Sequence, residues 1–419
     1  MGGAGMGGSG AGGAGSAGAS GAGAGCDPLA VPAGATTLTP ADADRLPALV
    51  RAAAPGSTFL LADGVYKMTG ADEASRRIQI AAPGVTLRGA SGGAASVTID
   101  GEYRTNELVT IHASDVTLAH LTLTHAVDHL VHVTPMASDV TGVRLFDLNL
   151  FDGGEQFVKV NPDGARTAFV DRGTLECSRF QLTDAGRPHV ERDPGGCYTG
   201  GIDAHAARGW VVRKNVFSDL YCAGEGLAEH AVHFWSGSKG TLVERNVILG
   251  CARGIGFGLG ESGAGRVYAD DPAPGAGYVG HYDGLIRNNV VYADHAWFDT
   301  GIGLEQAREV RVLHNTVTAG PAASGFYSGI DARFSGSVVF LANDLARRIT
   351  IRDGAAVERH GDLETDALDL FVDPAAGDLH LRASAAAAID RGSAQADAGL
   401  DLDGEAHDRG APDLGADER

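Results

Sequence analysis

The chain has few cysteines, few basic residues and no long apolar run. Its five cysteines include no CxxC pair, which argues against a zinc knuckle. No stretch is long and apolar enough to cross a bilayer, and residues 1–25 have neither a basic start nor an apolar h-region, so they do not read as a secretory signal. Lys and Arg number 33 against 53 Asp and Glu, a formal charge of −20. That balance disfavours nucleic acid and anionic membranes as partners. It suits a soluble, self-repelling chain expected to act as a monomer.

Residues 1–25 are almost only Gly, Ala and Ser, a composition that makes a flexible linker rather than a core. Cys26 lacks the large apolar residue that stands three before a lipoprotein cysteine. The tether nevertheless resembles the linkers of bacterial surface lipoproteins, which implies a cell-surface or extracellular protein whose true start lies upstream of Met1. Cys177 and Cys197 flank an insertion, and Cys222 and Cys251 follow similar segments. The cysteines read either as two disulfides of open pairing, which would fit an oxidising compartment, or as small buried thiols.

What is abundant is a repeat. Eight segments carry apolar residues at positions two and four: Leu108–His112, Leu130–Thr134, Phe157–Asn161, Gly201–His205, Ala231–Trp235, Gly254–Gly258, Gly301–Glu305 and Gly329–Arg333. Period-two alternation predicts strands with one buried and one open face. Recurrence every 22 to 30 residues, with two longer gaps, predicts one such strand per coil of a solenoid. A second repeat places Asn215, Asn246, Asn289, Asn315 and Asn343 after successive ladder strands. It reads as a stacked asparagine ladder. Thr39 and Pro40 open a short helix with Leu46, Leu49 and Val50 on one side, placed to cover the open end of the solenoid.

These features resemble the right-handed parallel β-helix proteins of the pectin lyase-like superfamily. The opening Ala54–Tyr66 is similar to the first coil of chondroitinase B and alginate lyase-type enzymes. The ending from Asp373 through Ala416 is similar to a segment of bacterial surface β-helix proteins. The resemblance implies an all-β, single-stranded right-handed parallel β-helix: linker 1–25, N-terminal cap 26–60, β-helix 61–370 and C-terminal cap 371–419. It implies no particular activity, because this fold carries lyases, hydrolases, epimerases and non-enzymes. The epimerase signature Asp-Pro-His-Asp is absent.

Function must then be read from the open ladder positions. In register, His132, Lys159, Asp203 and His233 form one column, about 4.8 Å per step. Asn161, His205 and Trp235 form the next, with His112 further back and glycines 256 and 258 beyond. A solvated sheet face would favour Thr, Ser, Lys and Glu, so three histidines, an aspartate and a tryptophan point to a polysaccharide site walled by the insertions 163–198 and 261–282. The leading reading is β-elimination from a uronic-acid polymer. Lys159 would bind the carboxylate or act as base, His205 and His233 would move protons, and Asp203 would orient a histidine, with His132 beside them. Asn161, Trp235, His112, Glu229, Glu305, Asp331 and Arg333 are candidate substrate contacts. Arg333 lies four strands from Asp203, about 19 Å away. Because Lys159 and His233 point away from the core, alanine at either is expected to remove activity and leave the fold intact. Glu305 and Asp331, about 8 Å apart on ideal spacing, offer a glycoside hydrolase as the alternative, and a non-catalytic carbohydrate-binding or adhesin-like solenoid is a third. The ladder is assigned no metal. Asp401-Leu-Asp-Gly404 reads as part of a calcium loop or, lacking the later glutamate, as a turn.

Overall fold

The computed structural model describes residues 26–190, 196–224, 226–260 and 265–419. The linker expected over residues 1–25 lies outside them. The alternating segments form the predicted parallel sheet, and it is longer than the eight repeats. Its strands are β1 (Ile78–Ile80), β2 (Val109–Ile111), β3 (Val131–Val133), β4 (Gln156–Val160), β5 (Gly200–His205), β6 (His230–Trp235), β7 (Arg253–Phe257), β8 (Thr300–Glu305), β9 (Ser328–Arg333) and β10 (Ile349–Arg352). They pair in chain order, each parallel to the next. Val131, Val133, Val158, Val160, Ile202, Val232, Phe234, Ile255, Phe257, Ile302 and Leu304 are fully buried inside. Branched and aromatic side chains fill a pleated inner face well, which is why these positions specify strand. The remaining walls of each coil form a second, 23-stranded assembly with parallel pairings between coils.

The N-terminal end is closed as expected, with one difference. Pro40–Arg45 is a 3-10 turn and the α-helix is Leu46–Arg51, with Pro47 in its first turn. Proline lacks the amide that a continuous helix from Pro40 would need there, so the helix restarts. Leu46 and Val50 are buried in the core. Parallel pairing already begins at Thr36–Leu38, which registers with Phe59–Leu61.

The asparagine ladder is present. Asn215 Nδ2 donates to Asn246 Oδ1 (3.0 Å), Asn246 to Asn289 (2.9 Å), and Asn289 to Asn315 (3.0 Å). Each acceptor oxygen also takes the backbone amide of the preceding rung. The next rung is Asp344, not Asn343: Asn315 Nδ2 donates to Asp344 Oδ1 at 2.9 Å. Asn343 instead occupies the left-handed corner (φ 60°) that Lys214, Arg245, Asn288 and His314 occupy in the earlier coils. Asparagine tolerates both places, so the repeat slips by one residue there.

The cysteines pair as Cys26–Cys177 and Cys197–Cys222, and Cys251 is free and buried. Two disulfides fit an oxidising compartment. Among the described residues no helix is long and apolar enough to cross a membrane. The C-terminal segment covers the flank of the solenoid. Phe371, Leu379, Leu381, Leu402 and Leu414 cluster with Val216, Val247, Val290 and Leu345 of successive coils. Those outward-facing apolar residues would otherwise expose a continuous patch.

Two expectations follow. Asn246→Ala removes the acceptor of two Asn215 donors and one of the two donors to Asn289 Oδ1, so urea unfolding should show a loss of about 2–4 kcal/mol; a loss below 0.5 kcal/mol, within the usual scatter of about that size for neutral surface changes, would contradict the ladder. His281 is stacked on Phe257 at 3.9 Å, and burial lowers its pKa to about 3. The unfolded chain takes up this proton near pH 6.5 and the folded one does not, so its contribution is complete above about pH 6.5 and is lost as pH falls from there toward 3. His281→Leu should therefore flatten the pH dependence of stability between pH 6 and 4 by about 1.4 kcal/mol per unit; an unchanged slope would rule this out.

Candidate functional site

The predicted column forms residue by residue. Thr110 registers with His132, His132 with Lys159, Lys159 with Asp203, Asp203 with His233, His233 with Gly256, Gly256 with Gly303, and Gly303 with Asp331. The second column holds His205 beside Trp235 and Glu305 beside Arg333.

The column points away from the core but is not open to water. Lys159, Asp203 and His233 have side-chain exposures of 7 %, 6 % and 1 %. They lie beneath Tyr198 from one insertion and Glu229 from the segment before β6. The expectation that alanine at Lys159 or His233 leaves the fold intact is therefore corrected: removing either strands buried charge. His132, Asn161, His205, Trp235 and His112 are only partly buried and form the rim.

Asp203 is the hub. Lys159 Nζ donates to its Oδ2 at 2.5 Å, Trp235 Nε1 to its Oδ1 at 2.8 Å, and His205 Nε2 to Oδ2 at 3.1 Å. His233 Nδ1 lies 3.4 Å from Oδ1. Burial opposes ionisation of Asp203, but Lys159, His205 and His233 hold its pKa well below the usual carboxylate range. Burial also opposes the Lys159 charge, and Asp203 with Tyr198 outweighs it, so the ammonium form is reinforced. For His205 burial wins over Asp203 and the pKa falls. The result is a charged lysine beside a neutral imidazole whose Nε2–H is tied to Asp203, which leaves the Nδ1 lone pair on the free side of the ring. The ring packs 4.3 Å from that of Trp235.

A third outward column escapes the period-two reading: His129, Gln156, Gly200, His230, Arg253 and Thr300. The cause is a bend at position one. A Cβ on Gly201 would meet Phe217, and one on Gly254 or Gly301 would meet Val291 or Val317, so positions one and two both face inward and the phase flips before them. His230 and His233, three residues apart, thereby share the outer face, with ring centroids 4.5 Å apart. The apolar residue or glycine that stands at position one of every segment is the signal for it. His129 and His230 are buried and held neutral, each with a pKa of about 3; burial is the main cause, helped by His132 and Lys159 for the first and by Arg253 and His233 for the second. His132 hydrogen-bonds Glu107 through Nδ1 and faces Asn161 Nδ2 at 3.3 Å. His112 Nδ1 donates to the Thr134 carbonyl.

Beyond the glycines the face opens. A cleft of about 350 Å³ is lined by His230, Arg253, Gly303, Tyr327, Arg333 and Arg352, among others. Glu305 and Asp331 also border it. Arg352 grips both Asp331 oxygens at 3.0 and 2.8 Å. Glu305 accepts from the Gly260 amide at 2.7 Å and lies 3.8 Å from Arg333. Both carboxylates of the hydrolase alternative are thus engaged within the protein. In the segment 401–404, Asp401 accepts backbone amides from Gly404, Glu405 and Glu418, the pattern of a turn.

No protein-family model matches the sequence, and no curated protein matches it. Solved structures do match. Pectate lyase Pel9A superposes with a TM-score of 0.57 over 89 % of this chain and 90 % of its own, at 14 % identity. The alginate lyase from Paenibacillus sp. str. FPU-7 gives a TM-score of 0.50 over 78 % of this chain and 98 % of its own, at 16 % identity. At such identities the likeness concerns architecture, and with the parallel coils above it shows that this chain is a right-handed parallel β-helix.

Proposed function

We propose that the protein is a carbohydrate-active enzyme that cleaves a uronic-acid-containing polysaccharide by β-elimination. One observation carries the reading: on the rim of the ladder, His205 is a neutral imidazole oriented by Asp203 beside the Lys159 ammonium. β-Elimination needs that combination. A cation quiets the uronate carboxylate and so acidifies the C5 proton, and a neutral base removes it. The C5–H electrons form the C4–C5 double bond as the C4–O bond breaks, and the leaving oxygen takes a proton. Tyr198, which approaches Lys159 from the insertion, supplies it in this scheme. Trp235 offers a partly exposed ring for a sugar face. Of the arginines around the cleft, Arg333 and Arg352 are held by Glu305, Asp331 and Asp353, and Arg253 suits the carboxylate of a neighbouring sugar in a polymer lying along the coils. His233 touches no sugar in this scheme; at 1 % exposure it supports Asp203 from below.

The test is a panel of polyuronates scored both for the ultraviolet absorbance of an unsaturated uronate and for reducing ends. Absorbance rising with each cut is the expected result. Reducing ends without it would favour the hydrolase, and binding without either product the non-catalytic solenoid. His205→Ala should lower kcat by about 10²–10⁴-fold with an unchanged circular dichroism spectrum; full activity would remove His205 from the mechanism. Lys159→Ala should cost about 3–5 kcal/mol of stability, because Asp203 is left buried without its main partner. An unfolding midpoint equal to that of the parent chain would show that Asp203 is not held as an anion.

A further inference from the structure

Glu229, His230 and His233 present a donor set that the sugar chemistry above does not use. Glu229 Oε2, His230 Nδ1 and His233 Nδ1 are each buried and each lack a hydrogen-bond partner. The two imidazoles have side-chain exposures of 8 % and 1 %. All three atoms face one another. His233 Nδ1 is 3.5 Å and His230 Nδ1 3.9 Å from Glu229 Oε2, too far for hydrogen bonds. They are close to the separation of about 3.4 Å between donors that share a tetrahedral ion with bonds of about 2.1 Å.

The surroundings hold the donors in that orientation. His233 Nε2 lies 3.1 Å from the Gly258 carbonyl. A carbonyl only accepts, so Nε2 carries a proton. Only a proton or a cation can then satisfy Nδ1, which faces Glu229 and Asp203. A ligating histidine is fixed in just this way by a carbonyl on its far nitrogen. The His230 ring lies over Gly256, where a Cβ would stand 2.7 Å from Nε2, so the glycine makes room for it. The Glu229 amide donates to the Thr199 carbonyl at 2.8 Å, and Glu229 Oε1 faces Arg253 at 3.7 Å. Its other oxygen is thereby left for the histidines. Asp203 Oδ1, 3.4 Å from His233 Nδ1, is the nearest further donor.

We propose that Glu229, His230 and His233 bind a divalent transition-metal ion, zinc by the character of two imidazoles and one carboxylate. The ion binds whatever reaction the ladder supports, and it ties the segment before β6 to the ladder face.

A second group, His380, Asp403 and Asp417 in the C-terminal segment, also brings ligand atoms together and serves as the control. Untagged protein is stripped with chelator, incubated with zinc, desalted and analysed by elemental mass spectrometry. Retention of one zinc per chain that disappears in His233→Ala and Glu229→Gln, and survives in His380→Ala, is the expected result. No retained zinc, or zinc lost in His380→Ala and kept in the other two, would overturn the proposal. Cobalt(II) added to His380→Ala, whose altered side chain is partly exposed, keeps the test independent of folding in the buried variants. Visible ligand-field bands that zinc abolishes are expected, and their absence would equally overturn the assignment.

Discussion

Each coil can hydrogen-bond to the next only if the chain returns to the same phase after every circuit. The register of the ladder strands depends on that return, and so does every outward side chain. The corners enforce it. A residue in the left-handed conformation recurs at Lys214, Arg245, Asn288, His314 and Asn343, immediately before the amide rungs that join coil to coil. A side chain in that conformation costs roughly 1 kcal/mol, and the ladder bonds offset it by satisfying buried amides that would otherwise have no partner. With the phase fixed there, His132, Lys159, Asp203 and His233 have no choice but to stack.

That stacking explains the electrostatics. Groups one step apart on neighbouring strands are within ion-pair range, and once an insertion covers them the low dielectric strengthens each interaction. Asp203 is stable as an anion because three donors converge on it. His205 differs from His233 by position: it meets one carboxylate at the rim, whereas His233 lies between two. His205 is thus left neutral at the rim, whereas the two carboxylates beside His233 Nδ1 favour a cation at that nitrogen.

The periodicity alone reveals the solenoid, the order of both columns and the widening of the face at the glycines, because each depends on which residues recur at a fixed phase. What it misses depends on contacts between distant residues. Lys159 lies against Tyr198 and His233 against Glu229, and neither neighbour belongs to a repeat. The column of His129, His230 and Arg253 is hidden by the bend at position one, where two inward residues in succession break the alternation. Asn343 looks like a rung in the sequence and is a corner in the fold, because asparagine suits both places. Cys26 bonds a partner 151 residues away, and spacing carries no information about that choice.

That long link also changes how the molecule comes apart. A stack of coils held only by nearest neighbours frays from its ends, since each coil can leave without disturbing those beyond the next. Cys26–Cys177 staples the first described residues to a coil in the middle of the stack, and the C-terminal segment lies across the flank from Val216 to Leu345. Coils between these attachments cannot leave one turn at a time without opening a link that spans several of them. The solenoid opens as a closed loop with a strap, so resistance to proteases and to pulling is set by a barrier shared across many coils rather than by the weakest one at an end.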